Sequence, residues 1–132
     1  MSRRDAREKV IQALYQLDFH RDRCDLPDDW LNGLRERDLL FYRELLTGVR
    51  NRLDKLDQMI RPALKGWTLE RLSAVDRAIL RLGTYELSER DDIPPNVTLN
   101  EAVELAKRFS TDEAARFING VLSQIRRNLE ER

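Results

Sequence analysis

The sequence predicts an all-α protein, two small helical bundles packed into one compact domain of about seven helices. Three observations carry this. Apolar residues recur three and four positions apart along most of the 132-residue chain, the period of a helix with one buried face. No stretch shows the apolar/polar alternation of a half-buried strand. Ser or Thr followed three residues later by Asp or Glu stands ahead of several apolar runs, and that spacing lets a hydroxyl and a carboxylate satisfy the free N–H groups of a helix start. Charged residues make up 36% and apolar residues 41%, with few Gly and Pro, a composition that belongs to a folded helical protein rather than to a disordered one. One domain is expected over residues 1–132, with an N-terminal half to about residue 65 and a C-terminal half from about residue 66. Each half is short for independent stability.

The first helix is expected to start at Ser2, capped with Asp5, and to bury Ala6, Val10, Ala13, Leu14 and Leu17. A polar loop is expected around His20 to Pro27. A second helical region follows from about Asp28 to Arg35, and a third from about Asp38 through Leu53. Leu39, Leu40, Tyr42, Leu45, Leu46, Val49, Leu53, Leu56 and Ile60 carry the apolar pattern there, with a break near Gly48 or Asn51. Pro62 and Gly66 mark the middle of the chain. Ser73 with Asp76 opens a helix to about Ser88. Thr98 with Glu101 and Ser110 with Glu113 read as caps of two more helices, ending near Phe109 and Leu129. Pro94 and Pro95 separate the first two of these three, because proline cannot continue a helix.

The charges balance to zero, so an anionic partner would have to be met by local clustering of Arg and Lys. One cysteine, Cys24, excludes an internal disulfide and a multi-cysteine zinc site, and fits a reducing cytoplasm. No apolar run approaches the ~20 residues needed to cross a bilayer. The arginines at the start have no apolar segment behind them, so they do not form a secretory signal. No membrane association is expected.

Catalysis finds little support. His20, the sole histidine, falls in the expected polar loop, Cys24 alone is a weak nucleophile candidate, and there is no Gly-rich phosphate loop. Glu101 and Glu104 precede Lys107 and Arg108 at the spacing of a salt-bridged helix surface. No cofactor or metal is implied, and the protein reads as a non-enzyme.

Binding finds more. Arg3, Arg4, Arg7 and Lys9 crowd the first turns of a helix, where each exposed cation opposes the helix dipole by roughly 0.3–1 kcal/mol. Arg4, Arg7, Ile11 and Tyr15 fall on one strip beside the core stripe. Guanidinium groups meet phosphates and a ring stacks on a base, so the strip suits single-stranded RNA. The alternative is an amphipathic helix whose Arg stems cover the edge of its own core. In the helix that opens at Ser73, Val75, Ala78, Ile79, Leu82 and Tyr85 form one apolar stripe, and Leu80 and Leu87 form a second ridge. Such a helix is central in the bundle or docks a partner. Asn119-Gly120 sits mid-helix, where Gly is unfavourable by roughly 1 kcal/mol. A close helix approach at Gly120, with Asn119 bonded to a neighbouring segment, would account for it.

Several segments in the right order carry a resemblance. Arg3-Arg4-Asp5-Ala6-Arg7-Glu8 and Gln12-Ala13-Leu14-Tyr15 come first, then Asp76-Arg77-Ala78-Ile79-Leu80-Arg81 with Tyr85-Glu86-Leu87. The run from Asp91 to Lys107 (DDIPPNVTLNEAVELAK) and Phe117-Ile118-Asn119-Gly120-Val121-Leu122 complete it. From about Arg3 to Ile125 the chain resembles the bacterial NusB family of transcription antitermination factors. The resemblance implies an all-helical, non-enzymatic, cytoplasmic RNA-binding protein. It would pair with NusE, a small-subunit ribosomal protein, to bind boxA RNA of ribosomal RNA operon transcripts and support the RNA polymerase antitermination complex. Carried over by motif, RNA contacts fall on Arg3, Arg4, Arg7, Tyr15, Arg116 and Phe117, with Glu113 close to that surface. The NusE contact falls on Asp76, with Glu70 and Arg77 as neighbours. Asp5 interrupts the arginine run that some members carry unbroken, which implies reliance on the partner. The family includes monomers and homodimers, and both states stay open. Two rivals remain beside this reading. One is a purely protein-binding helical module using the Leu80/Leu87 ridge. The other is the NusB-like domain that precedes some ribosomal RNA methyltransferases, although a chain ending at Arg132 has no room for the catalytic part.

Overall fold

The computed structural model describes residues 2–20 and 29–131, with the side chains of Phe19 and His20 outside that description. The expected polar loop from His20 to Pro27, Cys24 within it and the start of the expected second helix at Asp28 fall almost wholly outside the described residues. Among those described there are six α-helices and no strand. They are α1 (Arg3–His20), α2 (Glu36–Asn51), α3 (Leu53–Ile60), α4 (Ala74–Glu89), α5 (Pro95–Phe109) and α6 (Asp112–Glu130). Two 3-10 turns, Arg61–Ala63 and Leu69–Arg71, join α3 to α4.

The expected helix up to Arg35 is instead a pair of turns, Asn32 N–H to Asp29 O and Leu34 N–H to Leu31 O. Gly33 and the short run leave too few apolar positions to hold a helix. This lowers the expected seven helices to six among the described residues. The break sought near Gly48 or Asn51 lies at Arg52, whose backbone leaves the helical region at φ −128°, ψ 21°.

Ser2 and Asp5 form the expected capping box: the Ser2 N–H donates to Asp5 Oδ2 at 2.9 Å and the Asp5 N–H to Ser2 Oγ at 3.4 Å. At α4, Ser73 Oγ accepts from the Asp76 N–H at 3.1 Å. Two expected caps are elsewhere. Helix α5 starts with Pro95 at its first position, where the missing N–H costs nothing, and Thr98 is buried within it. Helix α6 is capped by Thr111, which accepts from the Ala114 N–H at 2.9 Å, not by Ser110.

Helix α4 packs against all five other helices, so both of its apolar ridges have neighbours. Leu80 is fully buried and Leu87 partly so. The docking ridge postulated for a purely protein-binding module is therefore interior. Leu40, placed in the apolar pattern of α2, is instead 59% exposed, and Phe41 beside it takes the core position. The close approach expected at Gly120 occurs at Gly83, where a Cβ would stand 2.8 Å from the Leu122 side chain, and at Gly48, where it would lie 2.2 Å from the Tyr85 ring. Gly120 itself is exposed, and a Cβ there would meet nothing within 4 Å. Among the described residues no helix is long and apolar enough to cross a membrane.

Candidate nucleic-acid interface

The cations of α1 do not form one strip. Arg7 turns inward, 3% exposed, and its guanidinium meets Glu86 of α4 twice, Nε to Oε2 at 2.8 Å and Nη2 to Oε1 at 2.9 Å. The same carboxylate accepts from Thr98 Oγ1 at 2.9 Å. One buried anion thus ties α1, α4 and α5 together. Arg7 was expected to contact RNA, but its charge is already met inside the protein, and it cannot present that guanidinium to a phosphate. Ile11 is buried as well, so the strip from Arg4 to Tyr15 is interrupted by core and Tyr15 returns to the surface beyond it.

Arg3 and Arg4 stay outside. The Arg3 guanidinium lies 4.3 Å from the centre of the Phe41 ring, which Arg7 and Arg90 also approach, at 5.2 and 5.4 Å. Arg4 is 55% exposed and pairs with Glu101 of α5 at 2.9 Å. That hydrogen bond, then the nearby charge of Glu101, raises the Arg4 pKa above its ordinary value. Arg3, Arg4 and Arg7 line a cleft of about 480 Å³ with Ser2, Ile93, Pro94, Val97 and Glu101. It brings together two exposed cations, the Glu101 carboxylate that pairs with Arg4, and an exposed apolar side chain, Val97.

A second group stands on α6. Arg116 is exposed, and Phe117 packs partly against the core. Arg116 and Gly120 fall on the outer face of the helix, with Phe117 at the edge between that face and the core. The side chains of Asn119 and Arg116 have no hydrogen-bond or charge partner among the described residues. Asn119 therefore does not make the bond to a neighbouring segment expected of it. Glu113 is exposed one turn before Phe117.

The three residues expected to meet a protein partner lie together at the start of α4. Arg77 Nη1 donates to the carbonyls of Leu72 at 2.7 Å and Leu69 at 3.3 Å, and its Nη2 pairs with Asp18. Arg77 thereby holds the Leu69–Arg71 turn against α1 and α4, which makes it a fastener of that surface more than a free contact. Glu70 is exposed and pairs with Arg61 at 2.7 Å. The hydrogen bond from Arg61 holds the Glu70 carboxyl below its usual pKa. Asp76 does not return the capping bond to Ser73. Its Oδ1 is buried and has no hydrogen-bond partner among the described residues, an unusual state for a carboxylate oxygen. Among the described residues no group of three or more His, Cys, Asp and Glu side chains is placed to hold a metal ion.

Sequence reasoning passed over Trp67 and Phe41. Trp67 lies in a loop, where periodicity carries no information. Phe41 was hidden by Leu39 and Leu40, which compete for the same apolar register.

The family model described as NusB family matches residues 4–127. The transcription antitermination protein NusB of Bacillus velezensis is 50% identical over 133 residues, covering 98% of this chain and 99% of that protein. That of Bacillus subtilis is 46% identical over 137 residues, covering 99% of each. Among solved structures, NusB of T. maritima superposes with a TM-score of 0.86 at 37% identity, covering 96% of this chain and 92% of that one. A crystal structure of antitermination factors NusB and NusE in complex with dsRNA matches with a TM-score of 0.85 at 25% identity, covering 96% of both chains.

Proposed function

The chain belongs to the NusB family, and from that membership we propose that it is a non-enzymatic RNA-binding adaptor of transcription antitermination, acting in the cytoplasm. It pairs with NusE and binds a boxA element in nascent ribosomal RNA transcripts, on behalf of the RNA polymerase antitermination complex. The carrying observation is the open face of α6, where Arg116 offers a guanidinium unpaired among the described residues, next to Phe117, in a fold shared with a protein solved with NusE and dsRNA. Arg3 and Arg4 add phosphate contacts at the head of α1, and Tyr15 adds a ring. Arg7 supports this surface from beneath by fixing α1 to α4.

NusE docks on the start of α4. Asp76 brings a half-buried carboxylate, whose outer oxygen can accept from a NusE donor, and Glu70 sits at the rim where Arg61 can be exchanged for a partner cation. The burial of Leu80 weighs against the purely protein-binding alternative.

Phosphate contacts give most of the affinity and little sequence choice. With roughly 3–4 phosphates neutralised, the log–log salt slope is about −2 to −3 for a single strand. The test is fluorescence anisotropy of labelled boxA-type RNA, single- and double-stranded, with and without NusE, at two salt concentrations. Charge reversal at Arg3 and Arg4 should weaken binding and flatten the slope. Retention of RNA after that reversal, with the same slope, would remove the α1 cations from the interface.

A further inference from the structure

Trp67 is the most exposed aromatic side chain among the described residues, at 56%. Its position is built. Gly66 takes φ +82°, a conformation that a side chain would strain, and the Trp67 N–H donates to Leu64 O at 3.1 Å. The turn carries the indole out of the core and sets it against Phe117, ring centres 6.0 Å apart at 62°. Edge contact with Phe117 fixes the Trp67 ring while leaving much of it in water, and an aromatic left that way forgoes burial it could otherwise have had.

Charge marks out what the ring meets. Lys65, two residues before Trp67, and Arg116, next to Phe117, are both exposed. Neither has an ion-pair partner among the described residues, in a protein where Arg4, Lys55, Arg61, Arg90 and Arg108 all have one. Gly120, one turn beyond Arg116, adds no side chain to that exposed face, and a Cβ there would meet nothing within 4 Å. Two fixed rings bracketed by two unpaired cations match the backbone and bases of a single-stranded nucleic acid, since phosphates take the cations and any base offers a face to a ring.

We propose that Trp67 and Phe117 form a two-ring stacking platform for an unpaired RNA base, with Lys65 and Arg116 holding the flanking phosphates. This inference rests on the RNA-binding reading above and adds Trp67 and Lys65 to it. The platform also explains how the two surfaces meet. The segment from Arg61 to Arg71 carries both Trp67, against Phe117, and Glu70, paired with Arg61, so RNA laid over the rings would run close to the proposed NusE contact.

The chain has two tryptophans, Trp30 and Trp67, and Trp30 is partly buried against Tyr42 at 5.7 Å. In a Trp30→Phe variant the emission reports Trp67 alone, and in a Trp67→Phe variant Trp30 alone, so the pair assigns any change even if one variant folds poorly. Both are titrated, with NusE bound, with a single-stranded boxA-type RNA of about 12 nucleotides. Binding is followed independently through the anisotropy of a dye on the RNA. The expected result is quenching of Trp67 and not Trp30. Affinity should fall about tenfold for Trp67→Ala and change little for Trp67→Phe, which keeps a ring. RNA binding with unchanged Trp67 emission and unaltered Trp67→Ala affinity overturns the platform and leaves the RNA-binding reading standing. Quenching on addition of NusE, with none on addition of RNA, overturns it in favour of a protein contact. Absence of RNA binding by anisotropy overturns both.

Discussion

Arg7 and Glu86 stand 79 positions apart in the chain and close a two-bonded ion pair in the interior, with side-chain exposures of 3% and 2%. Each is badly placed on its own helix. Arg7 puts a cation in the early turns of α1 and Glu86 an anion in the last turn of α4, both against the helix dipole. Their bidentate contact, with Thr98 filling another lone pair of Glu86, is what makes both placements tolerable. Breaking such a pair leaves one charge buried and unmatched.

Glu86→Ala and Arg7→Ala should therefore each destabilise the protein by about 3–5 kcal/mol, and Arg7→Met with Glu86→Leu together should recover most of that loss. Urea unfolding of the four proteins checks it. A single substitution costing under about 1 kcal/mol would mean the pair is solvated. The double variant also separates support from contact. Its RNA affinity should stay within about threefold of the parent, well under the ~1.4 kcal/mol that a tenfold loss represents.

The ion pair also marks where local reading ended. Caps at Ser2 and Ser73 were legible because donor and acceptor lie three residues apart. Thr98 and Ser110 have the same spacing to an acid and were misassigned. Thr98 is claimed by Glu86, and Thr111 competes with Ser110 one position away. The helical wheel put Arg7 beside the core stripe but could not say which side of the boundary it took. One clue was available: Glu86 lies four residues after Leu82 and seven after Ile79, on the buried stripe of α4, and a carboxylate there requires a cation. Nothing comparable points to Trp67, whose exposure depends on a turn and on contact with another helix.

Two glycines should respond in opposite directions. Gly48→Ala forces a Cβ to within 2.2 Å of the Tyr85 ring, and the buried ring or the α2–α4 spacing must give to relieve it, a loss of about 1–3 kcal/mol. Gly120→Ala meets nothing within 4 Å on a regular helix and should gain about 1 kcal/mol from propensity. Thermal unfolding distinguishes them by the sign of the shift in Tm. A fall in Tm for Gly120→Ala would reveal a contact of that face in solution.

Asp76→Asn tests the unpartnered oxygen. Its Oδ1 takes no part in the cap, which uses the backbone N–H of Asp76 and the Ser73 hydroxyl. Loss of the charge near the N-terminus of α4 should cost only about 0.3–1 kcal/mol of stability. If NusE donates to the Asp76 carboxylate, loss of a hydrogen bond to a charged group costs about 1.5–3 kcal/mol of pairing. Calorimetric titration of NusE into both proteins reads the second quantity and urea unfolding the first. Equal affinity would make Asp76 a structural residue only.

The link between α4 and α5 is sensitive to acid. Arg90 bonds Asp92 through two hydrogen bonds of 2.9 Å each, and those bonds hold the Asp92 carboxyl down to about 2. An unfolded chain returns it to about 3.9. A depressed folded value means that the pair stabilises the fold fully above the unfolded value. That contribution fades as pH falls from about 4 towards 2, where the folded carboxyl takes up its proton. The difference in urea midpoint between the parent and Asp92→Asn should thus be constant from neutral pH down to about 5 and shrink below about 4. The carboxyl carbon resonance of Asp92 should titrate with a midpoint near 2. Because this carboxylate is exposed, the stability difference should also contract in high salt. A midpoint at the ordinary aspartate value would show that the Arg90 contact does not persist in solution.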